Sequence, residues 1–265
     1  MPAKPLMFIK LGGSFITEKD KPYTLAADRL RQGLGQVKEL LESQPGMQLV
    51  LGHGSGSFGH AAAKGLDLAT GLHDQEALLR FQKVWFAAQQ LHSLVITEAQ
   101  ALDLPVISFP ASAAALTENK TILGWDLSSL EAALQRGFIP VVYGDTVMDT
   151  AKGGVILSTE AQFAWIAQRV RPERVFLLGT EKGVFADFPT RTQLIPKISA
   201  SAELSRNIIG SEFVDVTGGM LAKVRAMQQL CLEIPSLRAR ILSGHEPHAL
   251  VRAYNGEALG TEIAA

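Results

Sequence analysis

Residues 49–60 carry the clearest chemical signal in the chain, because an apolar run there opens into LGHGSGSFGH, with four glycines, two serines and two histidines. Glycine has no Cβ, so successive backbone N–H groups can converge on one point. Such a turn ahead of a helix binds anions. A flexible strand-to-helix loop has a similar composition, so this segment alone leaves both interpretations open.

Three further glycine turns follow apolar runs. Gly12 and Gly13 follow residues 6–11, Gly144 follows FIPVVY, and Gly179 follows residues 174–178. In an open α/β sheet, ligands bind outside the carboxyl ends of the strands. The four turns are therefore expected to share one site, and their rows of N–H groups suit a polyphosphate.

Lysines could offset the charge of a transferred phosphoryl group. The candidates are Lys10, Lys19, Lys21 and Lys223. Lys10 stands out because a lysine inside an apolar strand is costly without an anionic partner, whereas the others also fit solvated surface positions.

Two carboxylates, Asp145 and Glu160, are the natural partners for these lysines, with a helix cap or a simple ion pair as the structural alternative. Phosphoryl transfer needs positioning and electrostatic stabilisation, with Mg²⁺ bridging the terminal phosphates, and no covalent intermediate need be invoked. No GxxxxGK[ST] segment is present, which excludes a P-loop kinase.

Two histidines flank the first turn. His60 could donate a hydrogen bond to a phosphate or phosphonate oxygen, or it could simply cap a helix or face solvent. His53, on the strand side, is expected to be structural.

The elements that must position these residues alternate between strands and helices. Apolar periodicity predicts strands at 6–11, 47–51, 105–109, 138–143, 155–157, 174–178, 240–242 and, at the sheet edge, 260–263. It predicts helices at 25–43, 75–102, 127–136, 160–170, 201–208, 221–231 and 248–254. Residues 14–23 are expected to be loop, 112–123 could carry a small hairpin, and 181–201 are loop-rich. This order predicts a mostly parallel sheet with helices on both faces, an α/β sandwich.

Composition narrows the class of protein. The 265 residues are 47% hydrophobic, with a formal net charge of -1, which fits one compact unit and argues against a nucleic-acid surface. Cys231 is the only cysteine, so no intrachain disulfide can form, and a reducing cytoplasm is expected. The apolar N-terminal stretch is too short to span a membrane. Small molecules are the expected partners, and no protein-bound metal site is predicted.

Five segments together resemble the amino acid kinase family over nearly the whole chain: KLGGSFIT, HGSGSFGH, PVVYGD, DVTGGM with a lysine close behind, and GTEI. Within that family the isopentenyl phosphate kinases are most similar, since the histidine of SFGH marks them and the fosfomycin kinases. The resemblance implies an open αββα sandwich, usually a homodimer. It also implies ATP-dependent phosphorylation of isopentenyl phosphate to isopentenyl diphosphate.

The resemblance also implies roles for particular residues. Catalysis would involve Lys10, Asp145, Glu160 and Lys223, and ATP would meet Gly12, Gly13, Lys19, Gly179, Gly183, Thr217, Gly218 and Gly219. The acceptor would meet Gly54, Ser55, Gly56, His60 and Gly144, with Trp85 and Phe86 walling its prenyl tail unless these aromatics are simply core. The acceptor half would be about 1–150, and the nucleotide half about 151–265.

Two segments depart from the family pattern. LSTEA replaces the usual ISGDD, which puts Glu160 where an aspartate is expected, and GTEKGV replaces TDVDGV, which puts Lys182 near the nucleotide. Two alternatives therefore remain open. One is a kinase for a phosphonate such as fosfomycin or for another small phosphate ester, and the other is a nucleotide-binding regulatory protein without catalysis. A deep apolar slot near Trp85 and Phe86 would favour the prenyl acceptor.

Overall fold

An eight-stranded sheet forms the centre of the computed structural model, which describes residues 4–64, 71–203 and 219–265. Its strands, in spatial order, are β12 (Lys197–Ser199), β14 (Thr261–Ala264), β13 (Arg238–Ser243), β9 (Arg174–Gly179), β1 (Leu6–Leu11), β2 (Gln48–His53), β6 (Ile139–Tyr143) and β3 (Val106–Ser108). The last six pair in parallel, whereas β14 runs antiparallel to β13 and parallel to β12.

Eight helices are seen in the described ranges: α1 (Gly13–Ile16), α2 (Ala27–Ser43), α3 (Gly56–Ala63), α4 (Gln75–Ala101), α5 (Ser128–Arg136), α6 (Thr159–Val170), α7 (Gly219–Glu233) and α8 (Ala249–Tyr254). Apolar side chains of α2, α4 and α8 join one core cluster, and those of α5, α6 and α7 join the other. The two clusters lie on opposite faces of the sheet, so its central strands are buried on both sides and read as continuous apolar runs.

Side chains of β1 alternate between the two clusters. Phe8 packs with the α6 and α7 cluster, and Ile9 packs with the α2 and α4 cluster. Successive residues of a strand point to opposite faces, so Lys10 shares the face of Phe8. This alternation directs the lysine towards α6.

A smaller four-stranded sheet follows the central one. It has the order β5 (Thr121–Gly124), β4 (Leu116–Glu118), β7 (Asp145–Asp149) and β8 (Gly153–Leu157), and a separate ribbon pairs β10 (Val184–Phe185) with β11 (Leu194–Ile195). Only Gly144 separates β6 from β7, so the chain passes from one sheet to the other at that residue.

The mostly parallel sheet with helices on both faces is confirmed, as is the hairpin within 112–123. Residues 14–23, expected to be loop, contain most of α1, and Thr17 bridges Leu25. The terminal strand was wrongly predicted to be the sheet edge, because the three-residue β12 pairs outside it. The helix predicted at 201–208 lies largely outside the described residues. No helix in the described ranges is long and apolar enough to cross a membrane.

Candidate active site

Lys10 and Glu160 form a buried ion pair where β1 meets the start of α6. The distance from Lys10 Nζ to Glu160 Oε1 is 2.5 Å, and the two residues are 7% and 8% exposed. Gly52 pairs with Lys10 in the neighbouring strand, and a Cβ there would lie 2.6 Å from Thr159 Cγ2. Glycine at this position therefore lets the first turn of α6 approach the sheet.

The charge of a second lysine also acts on Glu160. Burial raises the pKa of a carboxyl group, but the charge and hydrogen bond of Lys10, together with the charge of Lys223 on α7, hold the pKa of Glu160 below its ordinary value. Glu160 lies in the first turn of α6, where the helix dipole also favours a negative charge. The carboxylate is thus ionised at neutral pH, in contact with Lys10 and under the influence of the charge of Lys223.

Two of the predicted glycine turns touch through their backbones. A Cβ on Gly13 would lie 2.4 Å from the nitrogen of Gly56, and a Cβ on Gly54 would lie 2.8 Å from the nitrogen of Gly13. The N–H of Gly54 donates to the carbonyl of Leu11 at 3.0 Å. The N–H groups of Ser55 and Gly56 open α3, where helical N–H groups lack partners within the helix. These two are the candidates to bind a phosphate.

A row of glycines also lies across the ends of β1, β9 and β13. Gly12 donates to the carbonyl of Leu178 at 2.7 Å, and Gly244 donates to the carbonyl of Gly179 at 2.9 Å. A Cβ on Gly244 would lie 2.4 Å from Phe15 Cζ. Sequence reasoning missed Gly244, although it follows a predicted strand, as the other glycine turns do.

Asp145 lies at the junction of the two sheets and does not pair with Lys10. Its carboxylate accepts hydrogen bonds from the N–H groups of Ser112 at 3.0 Å and Thr146 at 2.9 Å. Burial is the dominant effect and raises the pKa of Asp145 above its ordinary value. Gly144, the preceding residue, faces Ser55, and a Cβ added there would lie 3.6 Å from the nitrogen of Ser55, in ordinary van der Waals contact.

A narrow cavity joins the turn at residues 54–56, the Ser55 turn, to the long helix α4. Its lining combines Ser55, His60, Gly144 and Asp145 with walls formed by Gly59, Ala63, Val84, Ala88 and Ile156. Sequence reasoning missed the last four. The glycine backbone and the aliphatic side chains make these walls apolar.

Trp85 and Phe86 do not line this cavity. They are 38% and 55% exposed, whereas Val84 and Ala88 are buried. The side chains of a helix turn by about 100° per residue, so the face of α4 that carries Val84 and Ala88 excludes Phe86 altogether.

The remaining predicted residues differ in their burial. Lys19 and Lys182 are exposed, and Gly183 is packed so closely on Thr261 that a Cβ would lie 2.7 Å from its Oγ1. Gly219, with φ +60, begins α7. Thr217 and Gly218 lie outside the described residues. In the described part of the chain, no three His, Cys, Asp or Glu side chains cluster in a way that could hold a metal ion.

Comparisons with known proteins identify the family of the chain. Residues 5–243 match the model of the amino acid kinase family. The isopentenyl phosphate kinase of Haloferax volcanii is 33% identical over 259 residues, covering 97% of this chain and 98% of that protein. The isopentenyl phosphate kinase of Methanocaldococcus jannaschii is 27% identical over 269 residues, with the same coverage of each chain. A solved isopentenyl phosphate kinase structure covers 98% of this chain and 100% of its own, with 27% identity and a TM-score of 0.81.

Proposed function

The chain belongs to the amino acid kinase family of phosphotransferases, and from that membership we propose that it is an isopentenyl phosphate kinase. In this proposal it transfers the terminal phosphoryl group of ATP to isopentenyl phosphate. The products are ADP and isopentenyl diphosphate.

The observation that carries the proposal is the cavity whose lining combines polar groups with apolar walls. The N–H groups that open α3, together with His60, suit a phosphate, and Ala63, Val84 and Ile156 suit a short hydrocarbon tail. An amino acid acceptor would place an ammonium or a second carboxylate against these apolar walls, where an unpaired charge is costly. A small alkyl monophosphate matches both kinds of lining.

Contact between the two glycine turns supports a direct transfer. In the proposed complex the ATP phosphates lie along Gly12 and Gly13, and the acceptor phosphate lies on the touching turn at Ser55 and Gly56. An oxygen of the acceptor phosphate then attacks the γ-phosphorus while the bond to the ADP oxygen breaks. Positioning of this kind supplies much of the catalysis of phosphoryl transfer.

Lys10 offsets the negative charge that builds on the transferred group, and Glu160 holds the Lys10 ammonium in place. Lys223 acts from α7, and its charge helps to lower the pKa of Glu160. Glutamate keeps the charge of the aspartate usual at this position and is one methylene longer, and here it reaches Lys10 directly.

Mg²⁺ is the metal ion that the proposed reaction calls for. It prefers phosphate oxygens and water to an all-protein cage, which suits a site whose described residues include no cluster of three potential ligands. Bound with the nucleotide, it would neutralise charge on the terminal phosphates.

A homodimer is part of the same proposal. The outer face of α4 exposes Leu78, Leu79, Trp85, Phe86 and Leu94, a set that a second copy could bury. Light scattering after size-exclusion chromatography should give twice the mass of 28.5 kDa. A monomer at micromolar concentration would contradict this part of the proposal.

Product analysis by ³¹P NMR tests the function. The purified chain is incubated with ATP and Mg²⁺ and with one acceptor at a time: isopentenyl phosphate, fosfomycin, a short alkyl phosphate or glutamate. We expect a diphosphate product from isopentenyl phosphate at the highest kcat/KM. If fosfomycin or the alkyl phosphate were turned over preferentially, that compound would replace isopentenyl phosphate as the proposed acceptor. ATP binding without transfer to any of them would indicate a regulatory protein.

A further inference from the structure

A chain of hydrogen bonds runs from the edge of the central sheet to the Ser55 turn. Ser108, on the edge strand β3, lies 2.7 Å from Nε2 of His92, and Nδ1 of His92 lies 3.0 Å from Nε2 of His53. Nδ1 of His53 lies 3.1 Å from the carbonyl oxygen of Gly54. Both imidazoles are buried, at 1% and 4% exposed, yet neither lines the cavity.

The end of this chain fixes every proton in it. A carbonyl oxygen can only accept, so Nδ1 of His53 carries a proton, and in a neutral ring its Nε2 then accepts. Nδ1 of His92 must then donate to His53, and Nε2 of His92 accepts from the Ser108 hydroxyl. The arrangement needs both rings neutral, and burial favours that state by lowering the pKa of His53 to about 3 and that of His92 to about 4.

The anchored carbonyl belongs to the peptide that carries the N–H of Ser55. In a planar trans peptide, the C=O and the following N–H point in opposite directions, so holding the carbonyl of Gly54 also aims the N–H of Ser55. The preceding peptide, between His53 and Gly54, is held at both of its polar groups. Thr159 Oγ1 donates to the carbonyl of His53 at 2.7 Å, and the N–H of Gly54 donates to Leu11.

Tyr143 ties the histidine pair to the other side of the cavity. Its ring stacks on His92, with centroids 4.0 Å apart, and on His53 at 5.4 Å. The same tyrosine precedes Gly144, and its hydroxyl accepts a hydrogen bond from Gln89. The stack thus supports both the Ser55 turn and the Gly144–Asp145 junction.

We propose that Ser108, His92 and His53 are positioning residues that aim the N–H of Ser55 at the phosphate of the acceptor. The inference rests on the proposed function in one respect, namely that the Ser55 turn holds an acceptor phosphate. It assigns no proton transfer to the histidines.

Two variants break this row of hydrogen bonds at different points. His92→Phe keeps a ring to stack on Tyr143 but removes both hydrogen bonds, and Ser108→Ala removes the outer donor at an exposed position where folding is least at risk. Ser108→Thr keeps the hydroxyl and is the matched control. We expect His92→Phe to raise the KM for the acceptor about tenfold and Ser108→Ala to raise it about threefold. The KM for ATP and kcat should stay within about twofold of wild type.

Backbone NMR separates this inference from the proposed function. In ¹⁵N-labelled wild-type protein, titration with inorganic phosphate should shift the Ser55 amide resonance, and in His92→Phe and Ser108→Ala this shift should weaken while Ser108→Thr retains it. If wild type fails to phosphorylate isopentenyl phosphate but the Ser55 shift follows this pattern, the proposed function fails and the positioning role stands. Equal phosphate shifts in all variants, or a KM for ATP that rises as much as that for the acceptor, would overturn the positioning role.

Discussion

Lys10 and Glu160 are 150 positions apart in sequence, and their side chains meet with Nζ 2.5 Å from Oε1. Both are almost fully buried, so each charge depends on the other for its solvation. Under the proposed function, the pair therefore has two separable roles, one in stability and one in offsetting the charge of the transferred group.

Replacing one or both partners should separate these roles. Lys10→Met leaves a buried carboxylate unpaired and should lower the free energy of unfolding by about 3 kcal/mol. Lys10→Met combined with Glu160→Leu should recover most of that loss, because a well-packed apolar pair can replace a buried ion pair. Both variants should lose at least about 100-fold in kcat. Urea unfolding and steady-state kinetics measure the two effects. If the double variant regained activity, Lys10 would have no part in transfer.

Contact between the glycine turns predicts a sharp difference between two glycine substitutions. Gly13→Ala places a Cβ 2.4 Å from the nitrogen of Gly56, so the two turns must separate, and activity should fall at least about 100-fold. Gly35→Ala, inside α2 with no atom within 4 Å of the new Cβ, should raise the free energy of unfolding by about 0.5–1 kcal/mol. Activity assays and urea unfolding on both variants provide the comparison. Normal turnover by Gly13→Ala would contradict the assigned site.

The apolar walls of the cavity predict how acceptor length can be changed. Ile156→Ala should raise kcat/KM for a longer prenyl monophosphate about tenfold relative to isopentenyl phosphate, because it removes a wall of the cavity. Trp85→Ala tests the competing assignment drawn from sequence. On the structure, it should leave acceptor preference unchanged, and a shift as large as that of Ile156→Ala would return Trp85 to the pocket. Competition assays with both acceptors measure the ratio.

Asp149 should make the β7–β8 hairpin sensitive to acid. Burial raises the pKa of this carboxyl, but hydrogen bonds from the N–H groups of Lys120 and Lys152 and from the Thr117 hydroxyl outweigh it and lower the pKa to about 2. A lowered pKa stabilises the fold above the ordinary carboxyl range, and that stabilisation is lost as pH falls from about 4 to about 2.

Asp149→Asn should therefore lower the free energy of unfolding at pH 7 by about 2 kcal/mol, and the difference from wild type should shrink towards pH 2. Urea unfolding across this range measures it. Glu203→Gln, at an exposed position, is the control and should change little. A deficit that stayed constant with pH would rule out a role for the charge of Asp149.

Local patterns predicted the parts of the site that depend on local chemistry. Glycines that follow apolar runs identified the turns at Gly12, Gly54 and Gly144, because a strand that ends in glycine is visible within a few residues of sequence. Side-chain alternation in β1 likewise explains why Lys10 shares a face with Phe8.

Other parts depend on how elements pack and could not be predicted in this way. Sequence offered both Asp145 and Glu160 as partners of Lys10, and only the position of α6 over β1 selects Glu160. The rotation of α4 about its own axis decides that Val84, and not Phe86, faces the cavity. The strand β12 is too short for any periodicity to reveal it.

The contact between Gly13 and Gly56 also bears on how such a protein can evolve. Both partners meet through main-chain atoms, so the spacing between the two turns requires glycine at both positions. The walls supplied by α4 and β8 lie outside that contact and can be exchanged residue by residue. Natural selection can thus alter which molecule receives the phosphoryl group while the geometry of the transfer itself is inherited intact.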